Sequence, residues 1–108
     1  RLTGRKRWIT FFSRISGVLL VDAGAARAVK EQGKSLLPSG VKFVSGVFKR
    51  GDAVEISGPD GVPFARGLVN FEASDCLKIC GRHSDEIHAI LGPNVDDELI
   101  HRDNLTLL

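Results

Sequence analysis

The chain has 108 residues, which is enough for one compact domain with a core of its own but not for two. Its hydrophobic content of 43% and charged content of 26% are ordinary for a globular domain, and no apolar run approaches the ~20 residues of a membrane helix, so we expect no membrane partner. The net charge of +2 hides an asymmetry, because residues 1–50 hold eleven Lys and Arg against two acids (+9), and residues 51–108 hold four against eleven (−7). This polarity indicates a polyanionic partner or an acidic neighbouring domain, unless the two halves interleave in space and neutralise each other.

Residues 1–14 are predicted to be a basic linker and a strand that leads into the domain, and residues 15–108 are predicted to be the domain itself. Four Lys and Arg lie in residues 1–7, and the aromatic, β-favouring run Trp8–Phe12 follows as a strand or an anchor to a preceding domain. The sequence contains no Met and does not begin with a secretory signal, so we expect a fragment of a longer protein or a processed chain.

A buried strand over residues 17–21 is predicted to lead into the first helix. Asp22 is a suitable N-cap for this helix, and Gly33 is a suitable glycine just past its end. Because small residues occupy the start of the helix, we expect another backbone to approach it closely. Three lysines, at positions 30, 34 and 42, surround the helix, and that combination favours an extended, charged partner over a small-molecule pocket.

Short strands and turns follow this helix. Pro38–Gly40 is predicted to turn the chain into a strand over residues 41–47, and residues 53–57 alternate apolar and polar side chains as a half-buried strand does. The hairpin turn Gly58–Gly61 leads to a return strand over residues 63–70, in which Gly67 indicates a bulge or a close backbone approach.

Two short helices and a final strand or strand pair complete the predicted fold. Ser74 and Asp75 are predicted to cap a helix that ends at Cys80, and a second helix is predicted over residues 84–91, with acidic residues in its first turn. Residues 99–101 and 105–108 are β-favouring. We therefore predict a β-rich α+β domain or small mixed barrel, with one early helix and short late helices.

The cysteines and histidines do not form a recognisable metal or catalytic motif. The gaps between Cys76, Cys80, His83 and His88 do not match paired zinc ligands, and two free thiols in a reducing cytoplasm are the simpler interpretation. Residues 101–104 are similar to the protein-kinase catalytic loop, but the Asn that this loop requires is replaced by Leu108. We therefore predict that this chain alone is not an enzyme and binds no cofactor or metal.

The order of several motifs resembles the PUA domain, the module named after pseudouridine synthases and archaeosine transglycosylases. The matching segments are Val21–Ala25, Leu36–Val41, Gly46–Asp52 and Ala65–Val69. A narrower resemblance, to the C-terminal region of bacterial glutamate 5-kinases (γ-glutamyl kinases), also takes in residues 5–9, 65–70 and 100–105. This resemblance covers nearly the whole chain and implies a PUA-type pseudo-barrel.

The resemblance to glutamate 5-kinases implies an accessory or regulatory domain of a cytoplasmic enzyme. That enzyme phosphorylates L-glutamate with ATP and Mg²⁺ in the first step of proline biosynthesis, and proline inhibits it. Catalysis belongs to an N-terminal amino-acid-kinase domain, which this chain lacks. The resemblance therefore implies two partners, the enzyme's own kinase domain and further copies in a homo-oligomer.

In RNA-modifying relatives the glycine-containing helix and the adjoining strand contact RNA, which makes an RNA-binding module the alternative function. By position, the candidate residues for RNA or domain contact are Ala23, Gly24, Arg27, Lys30, Lys34, Ser35, Leu37, Gly40, Val41 and Lys42. Aromatic residues for base stacking are scarce, and strand periodicity assigns both Phe43 and Phe48 to the core.

Overall fold

A computed structural model describes residues 14–108, so the predicted strand Trp8–Phe12 and most of the predicted linker lie outside the described residues. The domain is a five-stranded mixed sheet in the order β2-β1-β3-β4-β5, with one early helix and two short late helices. The strands are β1 (Ile15–Val21), β2 (Val41–Gly46), β3 (Ala53–Ser57), β4 (Pro63–Leu68) and β5 (Leu105–Leu107). The helices are α1 (Ala23–Gln32), α2 (Ala73–Ile79) and α3 (Ser84–Leu91).

The caps of α1 lie where the sequence predicts them. The Asp22 carboxylate accepts a hydrogen bond from the Ala25 N–H at 2.7 Å, which satisfies a backbone donor that the helix itself leaves unpaired. Gly33 ends the helix with a left-handed φ of 61°, a conformation that glycine adopts without strain. The buried side chains of α1 are Ala26 and Val29, which join the hydrophobic core of the domain.

Strand β2 is an edge strand with a bulge, and this corrects one expectation. Its register against β1 shifts so that Phe43 lies opposite Leu20 while Val41 lies opposite Val21, which leaves Lys42 as the extra residue. As a result Phe43 is 67% exposed instead of buried, whereas Phe48 is 3% exposed, as expected. Simple strand alternation, which assigned both phenylalanines to the core, fails at the bulge.

Strand β3 is buried more completely than its alternating sequence predicts. It pairs parallel with β1 and antiparallel with β4, so it has a neighbour on both sides. All of its residues are buried except Glu55, which is half-buried and paired with Arg66 on β4 at 3.3 Å. The sequence of an interior strand can therefore alternate apolar and polar residues, as that of a half-exposed strand does, provided that the charged side chain has a partner.

Gly67 on β4 is a point of close approach, one of the two predicted alternatives. A Cβ at this position would lie 2.6 Å from Cγ2 of Ile100 and 3.0 Å from the Asn104 carbonyl oxygen. The register shift of β4 lies elsewhere, between Ile56 and Ser57 of the paired strand. The glycine thus lets the segment that precedes β5 pack directly on the sheet.

Helix α2 starts one residue earlier than its predicted cap. Its N-cap is Glu72, so Ser74 and Asp75 belong to the first turn, and the Ser74 hydroxyl donates to the Glu72 carboxylate at 2.8 Å. Helix α3 begins and ends where the sequence predicts. The final strand pair becomes an isolated bridge between Leu36 and Ile100, followed by β5.

All these elements contribute residues to one hydrophobic cluster. The predicted β-rich α+β class is confirmed by the sheet and its helices. Leu19, Val54 and Ile56 are fully buried on the sheet, and Ile79 and Ile87 are their counterparts on the late helices. Within residues 14–108, no helix is both long enough and apolar enough to span a membrane.

The buried thiol of Cys76 predicts a stability change at high pH. Burial, assisted by the nearby Asp75 carboxylate and Cys80, raises the pKa of this thiol from 9.0 to about 12. Above pH 9 the unfolded chain loses a proton that the folded chain keeps, so this contribution to stability is complete below pH 9 and is lost as the pH rises. We expect the free energy of unfolding to fall by up to about 1.4 kcal/mol per pH unit above pH 9 from this group.

Urea unfolding from pH 7 to 10.5 measures this effect in the wild type and in Cys76→Ala. The variant keeps every other titrating group, so the difference between the two slopes isolates the thiol. Parallel slopes would show that Cys76 does not titrate differently in the folded and unfolded chains.

Candidate binding groove

A shallow groove of about 460 Å³ lies between α1 and the segment that follows it. We call it the small-residue groove. Its lining comes from the start of α1, the connection to the Pro38–Gly40 turn, and the residue before α3. The lining residues are Asp22, Gly24, Ala25, Ala28, Lys34, Ser35, Leu36, Leu37, Ser39, Gly40 and His83.

The small residues at the start of α1 let the Pro38–Gly40 turn approach the helix closely, and this approach gives the groove its shape. A Cβ at Gly40 would overlap the Cβ of Ala25, so only glycine lets the turn pack there. The Asp22 N–H donates to the Gly40 carbonyl at 2.9 Å and fixes the turn against the start of the helix. The predicted close backbone approach is therefore made at Ala25 by this turn, and Gly24 beside it faces open space, with only the Asp22 carboxylate near an added Cβ.

The far rim of the groove is formed by the segment between α2 and α3. The Gly81 N–H donates to the Pro38 carbonyl at 2.8 Å, which ties the end of α2 to the turn. The backbone of His83, on the same rim, is also fixed, because its N–H donates to the Glu86 carboxylate at 3.3 Å. That hydrogen bond, with a second from the Arg82 side chain, lowers the pKa of Glu86.

A second concavity of about 510 Å³ opens on the other side of the same turn, between β2 and the end of α2. We call it the β2 cleft. It is lined by Asp22, Ser39, Val41, Lys42, Phe43, Cys80 and Gly81. Because Asp22 and Ser39 line both concavities, the groove and the cleft are neighbours that share a wall. Lys42 and Phe43, at the bulge in β2, are both among the lining residues of the cleft.

Half of the ten sequence-predicted site residues line the small-residue groove. These are Gly24, Lys34, Ser35, Leu37 and Gly40. Lys42 lines the β2 cleft instead, together with Val41, which is 2% exposed and belongs to the core. Ala23 is exposed at the start of α1.

The other two predicted cations have partners elsewhere on α1. Arg27 pairs with Glu31 one turn along the helix, at 3.6 Å on the exposed surface. The Lys30 ammonium lies 5.0 Å from the centre of the Phe64 ring, a cation–π contact with the β4 side of the domain. Lys34 is therefore the member of the predicted basic set that the structure brings into the groove.

Sequence reasoning missed six residues of the groove: Asp22, Ala25, Ala28, Leu36, Ser39 and His83. Ala28 follows Gly24 by one helical turn, so helical periodicity alone could have assigned both to one face. His83 could not be found in this way, because it reaches the rim through the Gly81–Pro38 contact between distant segments.

The groove is suited to binding an extended ligand. Its walls are mostly small side chains and backbone, with the Lys34 ammonium available for a phosphate or carboxylate group. Among residues 14–108, no group of three or more His, Cys, Asp or Glu side chains is placed to hold a metal ion. The two cysteines are free thiols.

Comparison with known families identifies the fold. The sequence profile of the PUA domain matches residues 17–91. The chain is a member of the PUA domain family. A PUA domain from Aeropyrum pernix K1, solved as a tartrate complex, superimposes with a TM-score of 0.61 at 29% identity, covering 80% of this chain and 41% of that one. A PUA domain protein from Thermoplasma acidophilum has the same fold, with a TM-score of 0.53 at 18% identity over 78% of this chain and 47% of that one.

Close sequence relatives of this PUA domain are glutamate 5-kinases, as the narrower resemblance predicted. The enzyme of Pseudomonas putida (strain GB-1) is 49% identical over 107 residues, which are 99% of this chain and 29% of the relative. The enzyme of Deinococcus radiodurans is 50% identical over 109 residues, which are 100% of this chain and 30% of the relative. The chain thus spans less than a third of the length of the relatives that it matches.

Two glycines on opposite sides of the groove make a matched pair of substitutions. We expect Gly40→Ala to lower the free energy of unfolding by about 1–3 kcal/mol, because its Cβ overlaps Ala25 on a packed helix. Gly24→Ala should leave stability unchanged or raise it by up to about 1 kcal/mol, since it adds a helix-favouring residue in open space. Urea unfolding measures both; equal losses would show that the turn does not pack on α1 as described.

Proposed function

We propose that this PUA domain is the C-terminal accessory domain of a glutamate 5-kinase. The observation that supports this most strongly is the 49% identity to such enzymes over 99% of the chain. In this proposal the longer protein transfers the γ-phosphoryl group of ATP, with Mg²⁺, to the side-chain carboxylate of L-glutamate. The reacting groups lie in an amino-acid-kinase domain outside this chain, in the remaining length of the relatives.

The role proposed for the PUA domain is to modulate that kinase domain. A folded module with a preformed groove is suited to making contacts with another domain. Contacts between the two domains would shift the balance of kinase conformations, and so change the response to Mg²⁺ and to the inhibitor proline without supplying a catalytic group.

Deletion of residues 15–108 from the full-length enzyme tests the accessory role. We expect glutamate phosphorylation to persist, with kcat within about threefold of the intact enzyme, while the proline concentration for half inhibition or the Mg²⁺ optimum shifts by at least about fivefold, the range of typical allosteric coupling. Initial rates over a matrix of proline and Mg²⁺ concentrations supply the measurement. Superimposable response curves would contradict a modulating role, and absence of kinase activity in the intact protein would contradict the identity of the enzyme.

RNA binding is the second candidate function, and the exposed Phe43 beside Lys42 favours it. A base can stack on an exposed aromatic ring while a neighbouring cation contacts phosphate, and the β2 cleft offers both. Lys34 in the adjoining groove would contact a further phosphate. In this reading the ligand runs from the groove across the shared wall into the cleft.

Charge reversal in the groove and the cleft tests RNA binding. We expect Lys34→Glu with Lys42→Glu to weaken binding of a labelled structured RNA by at least about tenfold, because each variant replaces a phosphate contact with repulsion. Lys49→Glu with Lys78→Glu is the matched control, since it reverses two exposed charges that line neither concavity. Fluorescence anisotropy at low and near-physiological salt measures affinity. Equal weakening by the control would mean that binding depends on overall charge and not on this site.

A further inference from the structure

The extended segment Ser35–Leu37 presents a short strand edge to the small-residue groove. In an isolated antiparallel bridge, the Leu36 N–H donates to the Ile100 carbonyl at 3.0 Å and the Ile100 N–H donates to the Leu36 carbonyl at 3.2 Å. Because backbone groups alternate in direction along an extended chain, those of Ser35 and Leu37 point away from Ile100. All three residues of the segment line the groove, whereas Ile100 does not. The edge that faces away from Ile100 therefore opens on the groove.

Three backbone groups on this edge have no hydrogen-bond partner in the part of the chain that the structure describes. They are the N–H and the carbonyl of Ser35 and the N–H of Leu37. The Leu37 carbonyl differs, because it accepts from the Gly40 N–H at 3.2 Å. A donor, an acceptor and a second donor along one extended segment are the groups with which an added strand pairs.

The opposite wall of the groove leaves room for an added strand. Helix α1 lines that wall with one glycine and two alanines, so no side chain larger than a methyl group projects from it there. At one end the groove continues into a concavity of about 200 Å³, because Leu37, Ser39 and His83 line both spaces. An extended chain can therefore pass through the groove and continue beyond it, so its terminus need not lie there.

The charges in the groove favour a peptide with one acidic side chain over a polyanion. The Lys34 ammonium is exposed and has no ion-pair partner among residues 14–108. The Asp22 carboxylate lines the same groove as the Ser35 carbonyl, and both oxygens repel a phosphate but can accept a hydrogen bond from a peptide. A nucleic acid carries a phosphate at every nucleotide, whereas a peptide can place a single carboxylate beside Lys34 and neutral groups elsewhere.

We propose that the small-residue groove binds an extended peptide segment as a strand added to the edge of Ser35–Leu37. Backbone hydrogen bonds to Ser35 and Leu37 hold the segment, and an acidic side chain within it pairs with Lys34. Small side chains of the segment face the wall formed by α1. This binding site requires only residues of this domain, so it is independent of the proposed enzyme.

Amide NMR spectra of the 108-residue chain, titrated with a model peptide, test this binding. The probe is Gly-Ser-Thr-Val-Glu-Val-Thr-Ser-Gly, acetylated and amidated at its ends. We expect saturable downfield shifts of the Ser35 and Leu37 amide protons, and at least about fivefold slower exchange of these protons with solvent, because both gain a hydrogen bond. A version with methylated backbone nitrogens should not bind, since it lacks the N–H donors. Lysine in place of the glutamate should weaken binding by at least about tenfold.

Two variants of the chain, each with a matched control, locate the site. Gly24→Leu fills the groove from an exposed helix position, where an added Cβ meets only the Asp22 carboxylate at 3.5 Å, and it should weaken peptide binding by at least about tenfold. Ala23→Leu, at the neighbouring exposed position outside the groove, should not. Lys34→Glu should also weaken binding by at least about tenfold, whereas Lys49→Glu, at an exposed position away from the groove, should leave it unchanged.

The other outcomes overturn the proposal. Unchanged Ser35 and Leu37 amide protons at millimolar peptide would show that the edge does not pair, and equal binding of the methylated peptide would show a contact of another kind. Peptide-induced shifts confined to the β2 cleft would place the ligand outside the groove. A labelled structured RNA that shifts these two amide protons, where the peptide does not, would assign the groove to nucleic acid.

Discussion

The junction at Asp22 is the constraint on which the architecture depends. Its carboxylate caps α1 through Ala25, and its backbone N–H holds the Gly40 carbonyl. One residue thus fixes where β1 ends, where α1 begins, and where the chain returns to start β2. The packing of Gly40 against Ala25 follows from that geometry, and both concavities of the domain then form on either side of the turn.

Hydrogen bonds hold the wall shared by the two concavities in place, although loops build it. The Pro38–Gly40 turn is fixed to the start of α1 by Asp22 and to the end of α2 by Gly81. A ligand in the small-residue groove or in the β2 cleft therefore meets a surface that is already formed. The conformational entropy that binding must overcome is correspondingly small, so a larger part of the contact energy is available as affinity.

Features encoded by single residues could be predicted from the sequence, and features encoded by pairing could not. Asp22, Gly33 and Gly67 each require a particular local conformation or close approach, so their roles were predicted correctly from residue type. The exposure of Phe43 depends on a bulge that forms only against β1, and the burial of β3 depends on having a neighbour on each side. Strand β1, which takes part in both effects, is distant in sequence from β2 and β3, so alternation alone gave the wrong result.

The candidate site likewise contains some residues that the sequence predicts and others whose positions depend on the fold. Half of the predicted residues line the groove because they lie on one continuous segment, from α1 to the turn. Lys30 was grouped with Lys34 by charge, but its position on the helix directs it to Phe64 instead. The charge asymmetry between the halves of the chain is partly offset in space, since Arg50 of the first half pairs with Asp96 of the second at 2.9 Å.

The position of β5 has a consequence for the order of folding. This strand pairs with β4, although both late helices lie between them in the sequence, and the bridge between Leu36 and Ile100 joins segments that are still farther apart. Such non-local pairing raises the contact order, which slows folding relative to a domain built from local contacts. During synthesis, α1 and the β3–β4 hairpin can form early, but the sheet can close only after residues 100–107 leave the ribosome. Until then Ile100 is missing from the surface around Gly67, and the half-made domain exposes that apolar region to other chains.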